Sequence, residues 1–202
     1  MKMKVLKFGG TSVGSIENIC NVKNIINDGK KKVVVLSAMS GTTNQLVAIS
    51  NDIANKTPNS AIEKINSLHE TYFKTIDSLI LNDALNINVK DYVSGIFNFL
   101  VECTYKSFSS VLENNIVAQG ELLSTYMFNA YLKQEGIKSA LLPALSFMRI
   151  DSAKEPNIEY IKQNFEIVFN AAEASDIYIT QGFICLDDKD EVSNLQRGGS
   201  DY

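Results

Sequence analysis

Residues 5–12, Val-Leu-Lys-Phe-Gly-Gly-Thr-Ser, join an apolar segment to a glycine turn. The apolar run at residues 3–8 predicts a short buried strand, and the pattern from Ser15 to about Asp28 predicts an amphipathic helix. A glycine turn between a strand and a helix gathers backbone N–H groups and the positive end of the helix dipole, which favours a bound anion. The sequence therefore predicts a phosphate-binding turn in an α/β protein.

This turn differs from a Walker loop, because Ser-Ile follows Gly14 where that motif requires Lys and then Ser or Thr. The cation is instead Lys7, inside the strand. A lysine in a buried strand is unfavourable without an anionic partner, so we expect Lys7 to meet one. For Gly9 and Gly10 alone, a tight turn that only needs glycine's backbone freedom is the alternative.

A second turn of the same kind follows the next predicted strand. The β-branched run at residues 33–36 is typical of a parallel sheet, and it leads into residues 37–44, Ser-Ala-Met-Ser-Gly-Thr-Thr-Asn. A helix is predicted after it, over about residues 45–54. Ligands of open α/β sheets bind at the carboxyl ends of strands, so we expect the two turns to be neighbours. Ordinary N-capping by Ser, Thr and Asn is the alternative.

Helical spacing of apolar residues dominates residues 55–115. We predict two long antiparallel helices there, broken only near residues 82–88. Another helix is predicted from Ala118 to about Gln134, which would put Glu121 in its first turn. The residues alone favour a plain explanation for this acid, namely that it complements the helix dipole.

The remaining chain predicts more α/β structure. Strands are predicted at residues 139–142 and 176–180, an edge strand at residues 147–151, a helix at residues 158–172 and a solvated hairpin at residues 186–196.

Residues 197–201, Arg-Gly-Gly-Ser-Asp, combine a cation, a flexible turn, a hydroxyl and a carboxylate. The planar guanidinium of Arg197 suits a carboxylate, because its fork matches two oxygens. A simple surface loop is the alternative, since Gly, Ser and Asp are ordinary turn residues.

The composition argues against several classes of protein. The 202 residues are 45% hydrophobic and 21% charged, as in one sizeable globular domain. We expect a cytoplasmic protein with no membrane partner, because no signal peptide and no apolar run near the ~20 residues of a membrane helix is present. The net charge of −4 argues against nucleic acid as a partner. Three scattered cysteines and one histidine predict no metal-ligating residues.

Five blocks of the sequence resemble motifs of the aspartate kinases, in the amino acid kinase superfamily. They are Lys-Phe-Gly-Gly-Thr-Ser (residues 7–12), Ser-Ala-Met-Ser-Gly-Thr-Thr-Asn (residues 37–44), Gly-Glu-Leu-Leu-Ser (residues 120–124), Thr-Gln-Gly-Phe (residues 180–183) and Arg-Gly-Gly-Ser-Asp-Tyr (residues 197–202). The chain departs from the family at residues 192–196, where the family usually carries a threonine-rich run and a glycine.

The resemblance implies transfer of the γ-phosphoryl group of ATP to the β-carboxylate of L-aspartate, with Mg²⁺. It implies catalytic roles for Lys7, which would neutralise the transferring group, and for Asp201, which would orient Lys7. The resemblance also implies a binding role for Glu121 in place of helix-dipole complementation: its carboxylate would receive the substrate's ammonium group. The remaining implied contacts are Lys7, Phe8, Gly9 and Gly10 for ATP, and Thr43, Arg197 and Ser200 for the carboxylates of aspartate.

The fold implied by the resemblance is a three-layer α/β/α sandwich of the amino acid kinase (carbamate kinase-like) type. Its sheet would be mainly parallel, with a helical insertion at about residues 56–115. Residues 1–202 would form the amino-acid-binding lobe, without the nucleotide-binding half and the regulatory domains, and would be inactive alone. We expect the sheet to end at an unpaired edge liable to self-association, and the full-length enzyme to be a homo-oligomer.

Three alternatives remain open at this point. The chain could belong to a bifunctional aspartokinase–homoserine dehydrogenase. It could belong to another amino acid kinase, glutamate 5-kinase foremost, although Glu121 and the block at Arg197 favour aspartate. It could also be a non-catalytic flavodoxin-like binding module.

Overall fold

A parallel sheet forms the centre of the protein, in a computed structural model that describes residues 3–195. Its four strands run in the order β1-β2-β4-β3, and in this register the carboxyl ends of β1, β2 and β4 lie side by side. The strands are β1 (Lys4–Phe8), β2 (Lys32–Leu36), β3 (Ser139–Leu142) and β4 (Ile177–Gln181).

A short antiparallel hairpin follows the sheet, formed by β5 (Ile184–Leu186) and β6 (Val192–Asn194). This confirms the predicted hairpin, but it begins earlier than residue 186, and Ile184 and Cys185 are buried rather than solvated. The prediction of an edge strand at residues 147–151 is wrong, because this segment makes only isolated β-bridges, at Arg149 and Ile150.

Helices cover both faces of the sheet, which confirms the three-layer α/β/α sandwich. They are α1 (Ile16–Ile26), α2 (Thr42–Ala54), α3 (Pro58–Leu79), α4 (Asp83–Cys103), α5 (Ser110–Gln134) and α6 (Ile158–Ala171). Across residues 3–195, no helix combines the length and apolar character needed to cross a membrane.

Side-chain alternation along the strands divides the core into two layers. Val34 and Ile179 face the larger layer, which is built from α1 to α5. Their neighbours Val33 and Tyr178 face the smaller layer, where α6 packs. The helical insertion therefore lies on the same side of the sheet as α1, α2 and α5.

The insertion contains one more break than predicted. Helix α4 ends at Cys103, and α5 begins at Ser110, where the hydroxyl of Ser109 accepts a hydrogen bond from the N–H of Leu112 (3.1 Å). No new helix begins at Ala118, because α5 passes through this position without interruption. The prediction that Glu121 lies in a first turn is therefore wrong, and this residue is mid-helix.

Strand β1 lies at the edge of the sheet, so the prediction that it is buried is wrong. Leu6 and Phe8 pack against the larger core layer, but Val5 on the opposite face is 65% exposed. Lys7 is also exposed, because it shares that face. The inference that Lys7 needs an anion because it is buried is therefore incorrect. Among residues 3–195, β1 pairs only with β2 and forms one edge of the sheet.

Candidate functional site

The two turns predicted from the sequence meet at the carboxyl end of the sheet. The N–H of Ser37 donates to the carbonyl of Phe8 (3.1 Å), and the N–H of Ser40 donates to the carbonyl of Gly10 (3.1 Å). A Cβ atom on Gly10 would lie 2.9 Å from the carbonyl oxygen of Ala38. Gly10 is therefore required for the close approach of two backbones, which confirms that the turns are neighbours.

Helix α5 packs directly on the second turn. A Cβ atom on Gly120 would lie 2.8 Å from the Cβ of Ala38, so only glycine permits this approach. The hydroxyl of Ser124 donates to the carbonyl of Ser37 (2.9 Å) and fixes the helix against the turn. These contacts bring the middle of α5 to the carboxyl ends of the strands.

Glu121 enters the site from this part of α5 and is 2% exposed. Its Oε1 accepts a hydrogen bond from the N–H of Ala38 (3.1 Å), while its Oε2 is buried with no hydrogen-bond partner among the described residues. Burial raises the pKa of Glu121 to about 7. Such a carboxyl group is poised to pair with a cationic donor that enters the site.

A cavity of about 760 Å³ opens beside Glu121, which is ample for a small molecule. Of the predicted residues within the described chain, Gly10, Thr43 and Glu121 line it, whereas Lys7, Phe8 and Gly9 do not. The other lining residues are Thr11, Ser37, Ala38, Met39, Ser40, Gly41, Asn44, Val47, Glu113, Asn114, Val117, Phe183 and Asn194.

The helical insertion supports the position of Thr43. Gly41 adopts φ +84°, a left-handed conformation that starts α2. In the first turn of α2, the hydroxyl of Thr42 hydrogen-bonds the phenol of Tyr72 (3.1 Å), which is fully buried in α3. This burial raises the pKa of Tyr72 well above its usual value. The insertion therefore holds the element that presents Thr43 to the cavity.

Among the lining residues to which the sequence analysis gave no site role are Asn194, Phe183 and Asn114. The amide N–H of Asn194 donates to the side-chain oxygen of Asn114 (3.1 Å) and ties β6 to α5. Phe183 adopts φ +66°, and no local sequence pattern announces it. Asn114 could not be identified because α5 was predicted to begin later.

Three predicted site residues lie outside the residues that the structure describes. They are Arg197, Ser200 and Asp201, which follow β6 directly in the chain.

The chain is similar in sequence and fold to several aspartokinases. The model of the amino acid kinase family matches residues 2–202. The lysine-sensitive aspartokinase 3 of Escherichia coli is 29% identical over 202 residues, covering 98% of this chain and 44% of that protein. An aspartokinase of Chlamydia pneumoniae is 30% identical over 206 residues, covering 100% of this chain and 43% of that protein.

Solved structures agree with this relationship. The crystal structure of E. coli aspartokinase III in complex with aspartate and ADP superposes with a TM-score of 0.82 at 28% identity. The match covers 100% of this chain and 45% of that one. The chain thus spans less than half the length of the curated relatives and the solved structures it matches.

Proposed function

The chain belongs to the amino acid kinase family, and we propose that it forms the aspartate-binding part of an aspartate kinase. The reaction would transfer the γ-phosphoryl group of ATP to the β-carboxylate of L-aspartate. The observation that carries this proposal is the buried carboxyl group of Glu121 beside the cavity. One of its oxygens accepts a hydrogen bond from the N–H of Ala38, and the other has no partner among residues 3–195.

The ammonium group of an amino acid can provide the hydrogen-bond donor and the positive charge that the Glu121 carboxyl group lacks among residues 3–195. It carries three N–H donors and one positive charge, so it can donate a hydrogen bond to Oε2 and at the same time stabilise the ionised carboxylate. A ligand with only carboxylates would leave Oε2 unpaired and would add like charge. The site therefore favours an amino acid over a dicarboxylic acid of the same size.

The two turns suit the reacting end of the substrate. Phosphoryl transfer asks mainly for positioning and for neutralisation of charge, and backbone N–H groups at such turns can supply both. In this proposal Thr43, Arg197 and Ser200 bind the carboxylates of aspartate, and Lys7, Phe8, Gly9 and Gly10 meet the phosphates of ATP. Asp201 orients Lys7.

Mg²⁺ would accompany the nucleotide and neutralise the charge on its phosphates. Within residues 3–195, no group of three or more His, Cys, Asp or Glu side chains could hold a metal ion. The proposal therefore assigns none of these residues to the ion.

We assign this activity to a protein of the full length of the relatives, and not to the 202-residue chain by itself. For the 202-residue polypeptide assayed alone, we expect no measurable aspartate-dependent ADP production. Donor and acceptor must be held in line, and such positioning contributes about 7–11 kcal/mol to catalysis. The proposal includes a cytoplasmic, homo-oligomeric protein, and the free thiols of Cys20, Cys103 and Cys185 suit a reducing compartment.

Binding of ¹³C-labelled aspartate, followed by NMR and compared with glutamate and FMN, tests the proposal. We expect aspartate to bind in preference to both, and Glu121→Gln to weaken it at least tenfold, because a charge-assisted hydrogen bond is lost. Asn115→Ala is the matched control, since the Asn115 side chain bonds its own helix at Val111 (2.7 Å). Preferred binding of FMN would refute a kinase, and preferred binding of glutamate would refute the assignment of aspartate.

A further inference from the structure

Phe183 has a backbone conformation that a bulky side chain rarely adopts. Its φ of +66° lies in the left-handed region, and the N–H of Ile184 donates to the carbonyl of Gly182 across it (2.7 Å). This three-residue turn with positive φ at its centre is the rare, strained form of the γ-turn. Glycine would adopt it without cost.

The surrounding structure holds this conformation from both sides. The N–H of Gly182 donates to the carbonyl of Leu36 at the end of β2 (2.8 Å). The N–H of Leu195, just after β6, donates to the carbonyl of Phe183 itself (2.7 Å). A strained residue persists only where its neighbours over-determine it, and such residues cluster at functional sites.

Phe183 lies between two spaces of different chemistry. One is the cavity that Glu121 also lines, whose wall contains both polar and apolar groups. The other is an apolar pocket of about 170 Å³, lined by residues that include Val35 and Phe165. Phe183 lines both, and the smaller core layer packs against it. It therefore adds an apolar surface to a cavity whose lining mixes polar groups with Val47 and Val117.

We infer that Phe183 is a specificity-determining residue that packs against the methylene group of the substrate and limits the length of amino acid the cavity accepts. This inference rests on the proposed function, since it takes aspartate as the ligand. Aspartate has one side-chain methylene between its Cα and its carboxylate. Glutamate has two, so the same apolar wall would displace its carboxylate.

Two substitutions distinguish the effect of the phenyl ring from the effect of the strained backbone conformation. Phe183→Ala removes the ring and keeps the unfavourable φ, whereas Phe183→Gly removes both. We expect F183G to unfold at a higher urea concentration than F183A, because glycine tolerates this φ. We expect both variants to bind aspartate about tenfold more weakly and to lose about tenfold in the preference for aspartate over glutamate, since one methylene in a fitted pocket discriminates by this order.

Lys154→Gly is the matched control. Lys154 also has a positive φ (+63°), it is exposed, and it does not line the cavity. The K154G variant should therefore gain stability through the same backbone effect, with the affinities for aspartate and glutamate unchanged.

The measurements are NMR titrations of the 202-residue chain with each amino acid, and urea unfolding of each variant. Absence of aspartate binding to the wild-type chain would overturn the proposed function and this inference with it. Wild-type binding that survives in F183A and F183G would overturn the inference alone. An equal loss of aspartate and glutamate affinity would also overturn it, because the wall would then have no role in choosing length.

Discussion

Adding one methyl group to Gly120 tests how tightly α5 is packed against the second turn. In Gly120→Ala the new Cβ atom would lie 2.8 Å from Ala38 Cβ and 3.3 Å from Leu46 Cδ1. Ala38 has no flexible side chain that could move aside, so the backbone of the turn or of α5 must shift. Gly95 provides the comparison, since it lies inside α4 and a Cβ atom added there would meet no atom within 4 Å.

Two opposing effects set the magnitude. Replacing glycine by alanine inside a helix is worth about 1 kcal/mol in favour of folding. Forcing an extra carbon into a close-packed contact costs about 1–3 kcal/mol. We therefore expect Gly95→Ala to raise the free energy of unfolding by about 1 kcal/mol. Gly120→Ala should lower it by up to about 2 kcal/mol.

Urea unfolding of the wild-type chain and both variants, monitored by circular dichroism, measures this difference. NMR titration with aspartate adds a functional readout, because a shifted turn changes the hydrogen bond from Ala38 to Glu121. We expect weaker binding in Gly120→Ala and unchanged binding in Gly95→Ala. Equal stabilisation by both substitutions would refute the packing that places Glu121 in the cavity.

Three further predictions concern titration, the helical insertion and the sheet edge. The pKa of Glu121 is raised in the folded chain to about 7, above its usual value of 4.5, so ionising this group opposes folding. Glu121→Gln should therefore stabilise the unliganded chain by up to about 3 kcal/mol above pH 7, and this gain should fade as pH falls from 7 to 4.5. Urea unfolding of both proteins at pH 8 and at pH 4.5 measures the gain. An equal gain at both pH values would contradict the raised pKa. Tyr72→Phe should cost about 1 kcal/mol in urea unfolding, because the buried hydroxyl of Thr42 loses its partner; no change would mean that the insertion does not secure α2. Val5→Lys should reduce concentration-dependent self-association in sedimentation experiments, because a lysine blunts an exposed strand edge; association that persists unchanged would place the contact elsewhere.

Local sequence was sufficient for much of the sheet and for the two turns. Strands β2 and β4 are apolar runs bounded by polar residues, and both are buried as that pattern predicts. The proximity of Gly10 and Ser40 followed from the rule that the carboxyl ends of parallel strands share one edge of a sheet.

The burial of β1 could not be obtained from its own five residues. An apolar strand can have one neighbour or two, and only the assembled order of the strands decides which. With a single neighbour in the described part of the chain, β1 leaves Val5 and Lys7 on an open face. An argument from the burial of one residue therefore failed where the arrangement of the whole sheet was needed.

Glu121 shows a similar limit within the candidate site. The segment between α4 and α5 contains neither glycine nor proline, so the residues did not reveal the break before Ser110. The resulting error placed Glu121 near a helix start, and so it favoured the explanation that this acid only complements the helix dipole. Its proposed role was indicated only by family resemblance, and the structure adds that the residue lies mid-helix beside the cavity.

The strand order also bears on how the chain folds. Strand β4 lies between β2 and β3, although it is synthesised after the other three strands that this sheet has in residues 3–195. Its partners in β2 are far away in sequence, with Ile177 opposite Lys32. Because such long loops must close before this pairing stabilises anything, we expect completion of the sheet to be a late and slow step. Until residues 177–181 leave the ribosome, β2 and β3 each present an unpaired inner edge, which is the state in which a nascent chain is most exposed to aggregation.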